Sequence, residues 1–88
     1  MTQGEDDRNV LERKYAIGLL LEIARNESQT QIALCGASKS KAIRLKELED
    51  EGLIRRVRVR EHNIVRAYLT DKGRRIVPYL RYVMEVLQ

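Results

Sequence analysis

The sequence predicts a mainly α-helical domain with one small β-hairpin, in the order α-α-α-β-β-α. Three observations carry this. Apolar residues recur at the helical period of about 3.6 residues both before residue 50 and after residue 70. Between them, residues 54–60 and 63–69 alternate with the period of a strand. Ser38, Gly52 and Thr70 fall where helix ends need a side-chain acceptor or a residue free to take positive φ.

Met1 to Asp7 carries Gly, Gln and three acids and is expected to be a flexible tail. Residues 8–88 then have the size of one domain. From Arg8 to Arg25 the apolar residues Val10, Leu11, Tyr15, Ala16, Ile17, Leu19, Leu20, Leu21, Ile23 and Ala24 start at helical spacing. They go on to cover most of the circumference, which predicts a buried central helix. Asn26 and Ser28 punctuate its end. A short second helix is expected over Gln29–Cys35, with Ile32, Ala33 and Leu34 facing inward and Gly36 stopping it. Ser38 caps a third helix that runs to Asp50, and Gly52 follows as its C′ residue. Ile54–Arg60 and Asn63–Leu69 form the hairpin, turning through Glu61, His62 and Asn63. Thr70, with Asp71 next, starts a last helix that ends at Leu87 and that Pro78 is expected to bend.

Composition excludes several classes of function. One cysteine and one histidine cannot form an intramolecular disulfide or supply a zinc site, so no metal or other cofactor is expected. Cys35 is expected to be a small buried hydrophobe, with a redox-sensing thiol as the sharper alternative. The longest apolar run, Ala16 to Leu21, is far short of the roughly 20 residues a membrane span needs. With no signal-type stretch at the N-terminus, a soluble, cytoplasmic protein is expected. Glycine-rich phosphate loops and paired carboxylates at catalytic spacing are absent, and a catalytic role for His62 has no support in the sequence. The chain therefore reads as a non-enzyme with no evident small-molecule ligand.

The net charge of +4 matters less than its placement. On a helical wheel Ala42, Leu45 and Leu48 share the buried side of the third helix. The opposite face carries Lys39, Ser40, Ile43 and Arg44, with Lys46 at its edge and Ser38 at the cap. Short hydrogen-bonding groups, an apolar side chain and basic groups on one helix face can read base edges in a major groove. The C-terminal half holds Glu47, Glu49, Asp50 and Glu51, which a backbone phosphate would repel. In the hairpin, Arg56, Arg58 and Arg60 share one strand face, and Arg55 and Arg66 lie nearby against one acid, Glu61. Like charges crowded on a two-stranded ribbon destabilise it. A polyanion offsets that cost, because each neutralised phosphate releases counterions. His62 is expected to be an exposed turn residue, with a contact to DNA from the wing tip as the sharper alternative.

Three helices followed by a hairpin resemble the winged helix-turn-helix. The segment Leu45-Lys46-Glu47-Leu48-Glu49-Asp50-Glu51-Gly52-Leu53-Ile54 looks like the end of its recognition helix and the entry to the wing. Tyr68-Leu69-Thr70-Asp71-Lys72-Gly73-Arg74, continued by Ile76-Val77-Pro78-Tyr79-Leu80, resembles the end of the wing and the start of the last helix in the MarR and HxlR families. The resemblance covers residues 28–80. It implies a homodimeric transcriptional regulator of double-stranded DNA, with the third helix in the major groove and the wing on the backbone or minor groove.

The last helix points to the oligomer. Ile76, Leu80, Val83 and Leu87 form one apolar face, flanked by Val77 and Met84, and Tyr79, Tyr82 and Val86 form a second about 100° round. Two such faces exceed the needs of one small core. Tyr79, Tyr82, Val83, Val86 and Leu87 are therefore expected at a dimer interface, built largely from the first and last helices. The competing readings are a winged-helix interaction module within a larger transcription or repair assembly, and an RNA-binding winged helix.

Overall fold

The computed structural model describes residues 9–59 and 64–88. A single 3₁₀ turn at Val10–Glu12 precedes α1 (Ala16–Arg25), α2 (Gln31–Cys35) and α3 (Lys39–Asp50). An antiparallel pair, β1 (Ile54–Val59) and β2 (Ile64–Leu69), leads to α4 (Asp71–Leu87). The mainly helical class and the element order agree with the sequence reading. The flexibility expected of residues 1–7 concerns a segment outside the described residues.

The core lies where α1 meets α3, the base of the hairpin and the first half of α4. Its largest fully buried side chains are Leu20, Ile23, Leu45, Leu48 and Ile54. Each such burial is worth about 1.5–3 kcal/mol, so α3 is anchored mainly through its two leucines. Ala42, predicted on the same face, packs against the core while remaining half-exposed. Cys35 is buried, as expected.

The caps form where the sequence puts them. Ser38 Oγ accepts the Lys41 N–H at 3.2 Å, and Thr70 Oγ1 accepts the Gly73 N–H at 3.1 Å. Gly52 takes φ +79°, a left-handed conformation that costs glycine least, and so turns the chain from α3 into β1.

Two expectations need correction. The helix predicted from Arg8 to Arg25 is broken: the 3₁₀ turn ends at Glu12, and Tyr15 stands at φ +72° before α1 begins. A residue with a bulky side chain there costs on the order of 1–3 kcal/mol and needs its surroundings to hold it. The Lys14 and Lys41 ammonium groups lie 5.1 and 5.3 Å from its ring centroid. The second helix starts at Gln31, because residues 28–30 are drawn out along β2: Ser28 N–H donates to the Ala67 carbonyl, and Ala67 N–H to the Gln29 carbonyl, both at 3.0 Å. Thr30 then caps a helix of only five residues, which turns Leu34 and Cys35 inward and leaves Ile32 79% exposed. Ala33 is exposed as well.

The last helix, α4, divides along its length. Its first half packs on α1 and the core through Ile76, Val77 and Leu80. The helix continues past Pro78, and every residue from Arg81 to its end is exposed. Val83 and Leu87, which share a face with Ile76 and Leu80 and are expected at the dimer interface, are 50% and 75% exposed.

Candidate nucleic-acid interface

The two leucines that bury one side of α3 leave Lys39, Ser40 and Ile43 exposed on the other, along its N-terminal half. Ser38 is half-exposed, its hydroxyl already engaged as the cap. Arg44, predicted on the same outward face, is turned into the protein and its side chain is only 16% exposed. Its Nε donates to the Lys14 carbonyl at 2.9 Å, and its Nη1 pairs with Glu47 Oε1. The other Glu47 oxygen accepts Arg13 Nη1 at 2.9 Å.

The acids of the C-terminal half of α3 are thus ligands for the chain's own bases. Glu47 holds Arg44 and Arg13, Glu49 holds Arg56, and Asp50 Oδ1 lies 3.1 Å from Lys46 Nζ. The N-terminal half of α3 keeps Lys39 and Ser40 toward solvent, while Glu47, Glu49 and Asp50 are paired with bases of the chain and Glu51 beyond them is exposed.

The hairpin register pairs Ile54 with Leu69, Arg56 with Ala67 and Arg58 with Val65 on one face. Arg55 with Tyr68, Val57 with Arg66 and Val59 with Ile64 form the other. The face that carries Arg56 and Arg58 is therefore the core face prolonged outward, since Ile54, Ala67 and Leu69 are buried at its base. Arg58 is exposed. Arg56 is half-buried against α2 and α3, with Nε 2.9 Å from Glu49 Oε1 and Nη1 3.1 Å from Gln31 Oε1. Arg66 is half-buried too, its Nη1 donating to the Ser28 carbonyl at 2.8 Å. Arg60 and His62 lie outside the described residues.

Arg55 is exposed on the opposite face, its guanidinium carbon 5.8 Å from the Tyr68 ring centroid. Sequence reasoning counted it only in the total of arginines; its partner across the strands was the signal that singles it out. Cys35 sits behind the α2–α3 turn, where burial raises its thiol pKa above the ordinary range.

Among solved structures the chain is similar to Streptococcus pneumoniae FabT in complex with DNA, at 19% identity and a TM-score of 0.72 over 94% of this chain and 66% of that one. It is similar to MarR at 25% identity and a TM-score of 0.75, covering 86% of this chain and 59% of that one. The transcriptional repressor CouR, bound to a 23-mer DNA duplex, aligns at 23% identity and a TM-score of 0.67 over 78% of this chain and 52% of its own. The chain spans only about half to two thirds of the length of these neighbours. No protein-family model and no curated protein matches it. Element order, hairpin and these likenesses agree: the chain has the MarR-like winged helix-turn-helix fold.

Proposed function

We propose that the chain binds double-stranded DNA as a homodimeric transcriptional regulator, with α3 in the major groove and the β1–β2 wing on the backbone or minor groove. The observation that carries this reading is the partition of charge along α3. Every acid that would repel a phosphate from Glu47 to Asp50 is tied to a base of the same chain, whereas Lys39, Ser40 and Ile43 stand clear at the leading end. A helix entering a groove by its N-terminal half needs that arrangement. Ser38, Lys39, Ser40 and Ile43 are the proposed groove contacts. Arg55 and Arg58, with Arg60 and His62 beyond them, are the proposed wing contacts.

The second half of α4 supports the dimer. Tyr79 is 74% and Leu87 75% exposed, and Tyr82, Val83 and Val86 between them pack on no core residue among the described residues. An apolar helix end of this length resembles half of a divided core. A two-fold pairing through it would present two α3 helices to half-sites about 34 Å apart.

The test is titration of the purified chain with random duplex DNA, duplex RNA and single strands, followed by selection of bound sequences from a random duplex pool. Duplex DNA binding that falls steeply with salt and converges on a two-fold symmetric site is the expected result. Equal affinity for RNA, or no nucleic-acid binding, would overturn it, and the latter would favour an interaction module.

A further inference from the structure

Arg56 is gripped from three sides. Its Nε and Nη2 both lie 2.9 Å from Glu49 Oε1, and its Nη1 donates to Gln31 Oε1 at 3.1 Å. Its backbone N–H donates to Glu49 Oε2 at 3.3 Å. One carboxylate of α3 therefore holds both the side chain and the main chain of a β1 residue, and α2 adds a third point. These side chains are 24% and 32% exposed, a setting in which a charge-assisted, two-donor contact is stronger than an exposed pair.

The position of this contact matters. Between α3 and β1 the chain turns through Gly52, and β1 is anchored in the core by Ile54. Arg56 is the next residue on that face, and beyond it the strand rises into solvent at Val57 and Arg58. The Glu49–Arg56 contact thus braces the β1 side of the wing against α3 and α2, while the Thr30–Arg66 bridge and the Arg66–Ser28 hydrogen bond hold the β2 side to residues 28–30.

We infer that Glu49 and Arg56 are a positioning pair that fixes the angle of the wing relative to α3, so that helix and wing engage one duplex together. This rests on the DNA-binding reading. Arg56 in this role neutralises no phosphate, since its guanidinium is committed to Glu49 and Gln31. Releasing it to a phosphate would expose the Glu49 charge beside the same polyanion.

The sign of one substitution separates this from simple electrostatics. Removing an acid near a phosphate backbone should tighten binding, whereas removing a brace should loosen it. Glu49→Gln, Arg56→Gln, Arg56→Lys, the Gln/Gln double variant and Arg58→Gln would be compared with wild type on a selected duplex, across a salt series, at temperatures where melting curves show each to be folded. Glu49→Gln is expected to weaken binding by about tenfold. Arg56→Lys, which keeps the charge but loses the fork, is expected to weaken it comparably. The double variant should be little worse than either single one, and none of these should change the salt slope. Arg58→Gln should lower that slope by about 0.9 for each phosphate it no longer neutralises. Shortening the duplex on the wing side should cost wild type more affinity than Glu49→Gln, a dependence that loss of stability alone would not create. If Glu49→Gln fails to fold, Glu49→Asp, which withdraws the carboxylate by one methylene, takes its place with the same expected loss. Unchanged or tighter binding by Glu49→Gln, or a reduced salt slope in Arg56→Gln with full rescue by Arg56→Lys, would overturn the inference and leave DNA binding intact. Failure of wild type to bind any duplex would overturn both.

Discussion

Gly73, in the first turn of α4, lies flush against Leu53: a Cβ at position 73 would come within 2.1 Å of the Leu53 carbonyl oxygen. That oxygen also accepts the Thr70 N–H at 3.1 Å, so the start of α4 is seated directly on the turn leading into β1. Gly73→Ala must push backbone away from backbone. The expected cost is about 1–3 kcal/mol, read as a fall of several degrees or more in the melting temperature by circular dichroism. A melt matching wild type would mean that the approach relaxes freely.

The exposed end of α4 makes a prediction about mass. Sedimentation equilibrium at micromolar concentration is expected to give about twice 10.3 kDa for the wild-type chain. Tyr82→Glu with Val86→Glu places two charges on the proposed interface, far from the core, and should yield a folded monomer with much weaker DNA binding. A wild-type monomer would remove the basis for a symmetric operator.

Within α3, exposed and engaged side chains should behave differently. Lys39→Ala or Ile43→Ala should cost about 1–3 kcal/mol at the preferred duplex if either reads a base, and much less on random DNA. Both should leave stability nearly unchanged, because neither packs on the core. Arg44→Ala removes the partner of Glu47 and of the Lys14 carbonyl, so it should lower stability by about 1–2 kcal/mol in urea unfolding. An affinity loss confined to the preferred duplex, with stability unchanged, would instead put Arg44 on a base.

Cys35 gives the folded state a pH dependence at the alkaline end. Burial raises its thiol pKa, so the folded chain keeps a proton that the unfolded chain releases near the ordinary value of 9.0. The thiol's contribution is complete below that value and is lost as pH rises through it toward the folded pKa. Wild type should therefore lose more stability than Cys35→Ala between neutral and strongly alkaline pH. Thiol-reactive dyes should label Cys35 only as the chain unfolds; rapid labelling of the native protein would contradict this burial.

What was legible in the sequence was decided locally. Ser38, Gly52 and Thr70 mark helix ends through their own hydrogen bonds and dihedral freedom, and the alternation in both strands fixed the faces of the hairpin. The break at Arg13–Tyr15 was not legible, because helical spacing runs straight through it and the groups that hold it come from α3, with Glu47 lying 34 residues from Arg13. Ile32 was misplaced because a five-residue helix has too little period to show its phase. In the candidate site, Lys39, Ser40 and Ile43 followed from the wheel. The partners of Arg44, Arg56 and Arg66 did not, since a side chain's reach to a distant acid or carbonyl depends on how elements pack.

Residues 28–30 lie along the outer edge of β2, joined to it on both sides of Ala67 and by the Thr30–Arg66 bridge. Among the described residues no further strand pairs with β1, which leaves its outer edge as the hairpin's open one. An open strand edge is a template on which another chain can zip and aggregate, and native proteins blunt such edges with charge. Here the charge is that of the exposed Arg55 and Arg58, two guanidinium groups within six residues of strand, since Arg56 is paired with Glu49. Two wings approaching edge to edge would repel each other at those positions, so the composition that suits a polyanion also keeps unliganded copies from polymerising through their wings. Neutralising Arg55 and Arg58 together should therefore bring a second penalty unrelated to binding: slow, concentration-dependent precipitation of an otherwise folded protein.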